Sequence, residues 1–176
     1  FLSTINRRGG TVLLLETKEA AECLDEVLAN PLIDEIHIGL NDLHLSYQLT
    51  FMFELLSNGT VEMLCGKLKA AGIPYGFGGI ARLGEGMLPA EKILMEHYRL
   101  GSTRAILSRS FCNTQELKDI DKIEMAFSTN MPQLRAYENT ILSKTAEEYE
   151  AYVEQSNNSI NGIGVTVEVD GDGRGI

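Results

Sequence analysis

The chain has 176 residues, 44% hydrophobic and 23% charged, enough for one globular domain with a buried core. Fifteen Lys and Arg against 25 Asp and Glu leave a formal net charge of −10. An acidic chain without a basic cluster excludes nucleic acid and anionic membrane as natural partners, and no apolar run approaches the ~20 residues that span a bilayer.

The chain opens at Phe1 without an initiator Met, and Phe1 to Gly10 has no regular period, so a missing upstream segment is expected. No basic leader with a long apolar stretch marks a signal peptide. Cys23, Cys65 and Cys112 are odd in number and lack ligand spacing. Reduced thiols in a cytoplasmic protein are the expectation.

Strand and helix patterns then alternate. Thr11 to Glu16 is a continuous apolar run ending in a carboxylate, the pattern of a parallel strand covered on both faces. Ala20, Ala21, Leu24, Val27 and Leu28 recur at helical spacing, and Asn30-Pro31 ends that helix. A second strand runs from Glu35 to Leu40, followed by Asn41-Asp42-Leu43-His44 as a loop. After Phe51 to Leu56, a helix from Thr60 carries the stripe Val61, Leu64, Cys65, Leu68 and Ala71, closed by Gly72. Pro74 to Ile80 is the third strand, with a Gly-rich loop to Gly86. Pro89 opens a helix with Ala90, Ile93, Leu94, His97 and Tyr98 inward and Gly101 as its stop. Arg104 to Ser108 is the fourth strand. Asn113 and Glu116 have capping-box spacing before a helix that buries Leu117, Ile120, Ile123 and Phe127.

The remainder differs. A long amphipathic helix is expected over 131–156, with Leu134, Tyr137, Ile141, Tyr149 and Tyr152 on one side. Residues 157–176 read as a polar linker and tail, with a short strand at Val165 to Val169. Three basic residues against eight acidic ones after residue 130 hold half of the net charge.

Four units of roughly 30 residues match half of an eight-unit barrel of about 250 residues. The fold class predicted is α/β: a partial (β/α)8 TIM barrel over residues 1–130 plus the C-terminal helix. An open doubly wound sheet is the alternative. The barrel is favoured because Glu16, Gly39 to Asp42 and Gly78-Gly79 all fall at C-terminal strand ends, which converge on one rim only in a barrel. The turn Glu16-Thr17-Lys18 also lacks the glycines of a dinucleotide fingerprint.

Glu16 and Asp42 lie 26 residues apart, about one β-α unit. Adjacent parallel strands sit ~4.8 Å apart, so two acids at successive strand ends are placed to share one divalent cation. Few, hard oxygen ligands suit Mg²⁺ or Mn²⁺. Solvated carboxylates at strand ends are the plain alternative.

Leu13-Leu14-Leu15-Glu16-Thr17 followed by Ile36-His37-Ile38-Gly39-Leu40-Asn41-Asp42-Leu43 resembles the paired signature of the HpcH/HpaI aldolase and citrate-lyase-like family. In that family an apolar strand ends in Glu-Thr or Glu-Ser and the next ends in Gly-Pro-x-Asp-Leu, on a phosphoenolpyruvate/pyruvate-type barrel. The resemblance implies that Glu16 and Asp42 bind the metal. It also implies that the backbone amides of Asn41 and Asp42 hold the carboxylate of a 2-oxo acid, with a metal-stabilised pyruvate enolate in reversible carbon–carbon cleavage. Leu40 stands where the family commonly has Pro, and Leu14 where some class II aldolases carry a polar residue. The match spans roughly residues 11–130. It corresponds to the second half of the barrel, so the catalytic His, its acidic partner and a substrate-binding Arg are expected upstream.

His37 within a strand and His97 on a helix read as structural, and His44 as a bystander of the rim. Gly76 to Arg82 is placed where barrel loops bind phosphate, with Arg82 or Arg109 adding charge. Close packing and a tight turn explain the same glycines. Ser108 and Ser110 lack a base for nucleophilic work. Asp170 to Gly173 opens like a calcium loop but has no closing Glu, and reads as a turn. The expected function is a metal-dependent lyase acting as a cytoplasmic homo-oligomer. The alternatives are a CoA-ester lyase of the citrate-lyase type and a non-catalytic barrel remnant that serves as a binding module.

Overall fold

The computed structural model of the protein describes residues 9–164. The four apolar runs form strands β1 (Val12–Leu15), β2 (Glu35–Ile38), β3 (Tyr75–Ile80) and β4 (Arg104–Leu107). They make one sheet in the order β1-β2-β3-β4, every pair parallel. The order contains no reversal, so this sheet has no topological switch point of the doubly wound kind.

In-register partners in a sheet point to the same side. Leu13 with Ile36 and Tyr75, and Leu15 with Ile38 and Phe77, define the covered face. There Leu15, Ile36, Ile38 and Phe77 are sealed from solvent. Leu14, His37, Gly76 and Arg104 form a row on the opposite face. Val12, Leu14 and Ile106 remain 59%, 52% and 52% exposed, so that face carries little cover. The runs look buried on both sides in sequence, but the second side is open except around His37 and Gly76, which are buried.

Eight helices are described. After β1 come α1 (Lys18–Glu22) and α2 (Leu24–Leu28), which replace the single helix expected there. Thr17 Oγ1 caps α1 by accepting from the Ala20 amide, and the turn at Cys23 splits the two. Residues 41–44, expected as a loop, belong to α3 (Leu40–Ser46). Gly39 precedes its first turn, and Asp42 within that turn complements the helix dipole. α4 (Glu54–Ser57) and α5 (Thr60–Ala70) follow, then α6 (Ala90–Leu100) between β3 and β4. α6 ends as its sequence predicts, on Gly101 in the left-handed region at φ 73°.

The C-terminal region departs from expectation. α7 (Ile120–Leu142) is one helix that runs through Pro132, and α8 (Ala146–Gly164) is another. Asp119, not Asn113, caps α7, accepting from the amides of Asp121 and Lys122. Leu117 precedes the helix and Ile120 is 75% exposed, so neither is the core residue expected. The break between α7 and α8 has a clear cause. Thr145 Oγ1 accepts from the Glu148 amide and Glu148 Oε2 accepts from the Thr145 amide, a reciprocal capping box.

Residues 157–164 therefore belong to α8 rather than to a linker, and Ile160 is fully buried. The strand expected at Val165 to Val169 and the turn at Asp170 lie outside the described residues. Tyr137, Tyr149 and Tyr152 pack against the chain's own core. The three cysteines are unpaired. No helix among the described residues is long and apolar enough to cross a membrane.

Candidate functional site

Glu16 follows the last residue of β1, and Gly39 follows the last residue of β2. The Gly39 amide donates to the Leu15 carbonyl at 3.0 Å, so the two strand ends are level. The Glu16 side chain then lies directly over Gly39. A Cβ on Gly39 would stand 2.5 Å from Glu16 Cγ and 2.7 Å from Oε1. The missing side chain at 39 is what admits the carboxylate. The turn after Glu16 is tied down as well, because the Lys18 amide donates to Ser46 Oγ at the end of α3, 2.8 Å away.

Asp42 stands exposed in the first turn of α3, three residues beyond Gly39. The first amide of α3 to find a backbone acceptor is that of Leu43, which donates to the Gly39 carbonyl. The amides of Asn41 and Asp42 thus have no partner among the described residues, as the first turn of a helix dictates. The structure gathers Glu16, Asn41 and Asp42 onto one end of the β1–β2 pair.

A hard divalent cation fits this donor set in one respect. Mg²⁺ is commonly held by one or two carboxylates, with water and substrate filling the remaining positions. Among the described residues no group of three or more His, Cys, Asp and Glu is arranged to hold a metal. Gly39→Ala tests the cradle. Its φ of −81° is open to alanine, and the obstructed atoms belong to a flexible side chain. The fold is expected to hold, while Mn²⁺ affinity measured by EPR falls about tenfold as Glu16 is displaced. Unchanged affinity would remove Gly39 from the site.

The other candidates are engaged elsewhere. His37 Nε2 donates to the Gly78 carbonyl at 3.1 Å. Burial lowers its pKa, a trend that bond opposes. His44 is 3% exposed and its Nδ1 donates to the Leu40 carbonyl at 3.2 Å. Gly78, at φ 57°, gives Leu40 room, since a Cβ there would sit 2.9 Å from Leu40 Cδ1. Arg82 Nε donates to the Phe111 carbonyl at 2.8 Å. The Gly-rich segment is accounted for by packing, and Arg82 by a structural bond.

Sequence reasoning missed the surroundings of His97. This ring stacks on Phe77 with centroids 3.9 Å apart and planes 4° from parallel. Its Nδ1 lies 2.8 Å from Ser102 Oγ. The helix stop at Gly101 and the serine beside it were the only sequence signals of that contact.

No family model matches this chain, and neither a curated protein nor a solved structure matches it. What the fold and the strand ends define is a class: a mixed α/β protein with a four-stranded parallel sheet and two carboxylates at neighbouring strand ends.

Proposed function

We propose that the chain forms the second half of a pyruvate-aldolase-type (β/α)8 barrel. It then carries the metal-binding part of a divalent-metal-dependent carbon–carbon lyase that acts on a 2-oxo acid. The observation that carries this reading is the Glu16 carboxylate held over Gly39, at the neighbouring strand end and in the turn that bears Asp42. Sequential parallel strand order and an open sheet face support the barrel.

In this reading Glu16 and Asp42 hold Mg²⁺ or Mn²⁺. The cation supplies positive charge where the enolate oxygen develops its negative charge. Asn41 and Asp42 donate their free amides to the substrate carboxylate and fix its orientation. The half-buried Glu16 is held in place by the Gly39 cradle, so little reorganisation is left for the reaction itself. All three histidines are buried, at 6%, 3% and 4% exposure, so the proton-transferring base comes from complementary β-α units. The working unit is a cytoplasmic homo-oligomer. A citrate-lyase-like enzyme would use the same carboxylates on a CoA ester.

Glu16→Ala is the direct test. Mn²⁺ binding is expected to weaken by tenfold or more, and pyruvate methyl-proton exchange in D₂O, measured in the complete assembly, to be lost with it. Equal, metal-independent behaviour of both proteins would sink the lyase reading. That outcome would leave the second reading, a non-catalytic module completed by a partner. The half-exposed Val12, Leu14 and Ile106 and the unpaired outer edges of β1 and β4 among the described residues favour it in that case.

A further inference from the structure

Parallel strands are ordinarily covered on both faces. In β4, Arg104 and Ile106 point to one face of the sheet and Ala105 to the other, and all three are exposed. No strand pairs with its outer edge among the described residues. Unpaired edges are normally guarded by a charge, a proline or a covering element. β4 has no proline, and its one charge is turned away from the free edge. Arg104 reaches back across β3 and binds both oxygens of Glu35, at 2.9 and 3.1 Å.

α7 does not cover the strand either. A cleft of about 560 Å³ opens between them, lined on the strand side by Thr103, Arg104, Ala105 and Leu107. On the helix side stand Met131, Leu134, Arg135 and Glu138, spaced i, i+3, i+4 and i+7, so a single face of α7 looks across the cleft. That face is about 10 Å long, the rise of three or four strand residues at about 3.3 Å each. The helix charges on the lining are matched, because Arg135 meets both oxygens of Glu138, at 2.9 and 2.7 Å. A charged occupant would find no free partner there, and burying one unpaired is costly.

We propose that β4 takes a fifth strand: an extended, uncharged polypeptide segment whose main chain pairs with the free edge and whose alternate apolar side chains enter the cleft under α7. Only an extended chain satisfies successive N–H and C=O groups along a strand, which selects it over a compact small molecule. The two-residue period sets the side-chain rule. Residues i and i+2 enter the cleft, and residue i+1 lies beside Ile106 on the open face. The segment comes from a different sequence, since two copies of a chain with net charge −10 repel each other. In the lyase reading the complementary β-α units supply that strand, but the inference rests on the edge and the cleft alone.

The test titrates the wild-type chain, without metal, with the peptide acetyl-Thr-Val-Thr-Val-Thr-Val-Ser-amide. The NMR amide signals of Thr103 to Leu107 and the Met131 methyl are expected to shift saturably, and hydrogen exchange at the free-edge amides of β4 to slow at least tenfold. The same peptide N-methylated on two adjacent central residues has both edges blocked and should bind at least tenfold more weakly. Ala105→Lys brings a charge into the cleft from an exposed position and should weaken the unmethylated peptide at least tenfold. No saturable shift, equal affinity of the two peptides, or unchanged affinity in the variant overturns the proposal. Self-association of the wild type that protects the same amides without peptide also overturns it, in favour of a second copy. Neither Glu16, Asn41 nor Asp42 lines the cleft and no metal is present, so failure here is separate from failure of the lyase reading.

Discussion

Acidification from pH 6.5 toward 3 is expected to remove on the order of 5 kcal/mol of folding stability through one side chain, His97. In the folded chain its pKa is lowered to about 3, first by burial and then by the charge of His37. In the unfolded chain the ring titrates near its ordinary 6.5. Above pH 6.5 both states are neutral there, and the group is indifferent to folding. Between 6.5 and 3 the unfolded state binds a proton that the folded state refuses, so each pH unit removes about 1.4 kcal/mol. Below about 3 the loss stops growing. Against a typical total of 5–15 kcal/mol that is a large share, and His37, lowered by its own burial, adds in the same direction. Urea unfolding of the wild type and His97→Phe at pH 7, 5.5 and 4.5 measures it. The variant retains an aromatic ring on Phe77 and loses the Ser102 bond, so it starts lower, by about 1 kcal/mol. It should then gain on the wild type by about 1.4 kcal/mol per pH unit, while carboxylates common to both proteins cancel. Parallel stability curves would show that His97 is not held neutral.

The sheet was legible because its signals are local. Each apolar run became a strand within one or two residues, and Gly101 stopped α6 where its sequence says it should. Glu16 was legible as a strand-end acid, but its position over Gly39 was not. That contact depends on a side chain absent from the next strand. The errors lie where tertiary packing overrides a local breaker. Pro132 removes one helical hydrogen bond, yet α7 passes through it because Leu134 and Ile141 are buried against the core further along. The Asn130 side-chain amide bonded to the Ala126 carbonyl adds a bond beside the gap. The true break, at Thr145 and Glu148, carries a capping-box signature that the charge-rich surroundings masked.

Gly76→Ala is expected to destabilise the fold by about 3 kcal/mol or more, by parting β3 from β4. Gly76 lies between His37 and Arg104 in the sheet register. Its backbone conformation does not require glycine, since its φ is not among the positive values. The space beside it does. A Cβ at 76 would lie 2.2 Å from the Arg104 carbonyl oxygen, 2.6 Å from its carbon and 2.7 Å from its Cβ. Two of these are backbone atoms, which no rotamer change can clear. β4 is also fixed from both ends of the contact. The Thr103 amide donates to the Tyr75 carbonyl at 3.0 Å, and the Arg104 guanidinium reaches past β3 to Glu35 on β2. Relief requires the strands to move apart, which breaks ladder bonds. Gly66→Ala provides the contrast. Gly66 is exposed within α5, and a Cβ there meets nothing within 4 Å. That change removes only a flexible residue from a helix and should stabilise by about 0.5–1 kcal/mol. Urea midpoints of the two variants should therefore move in opposite directions. A Gly76→Ala protein as stable as the wild type would mean that β3 and β4 do not approach as closely as their paired register requires.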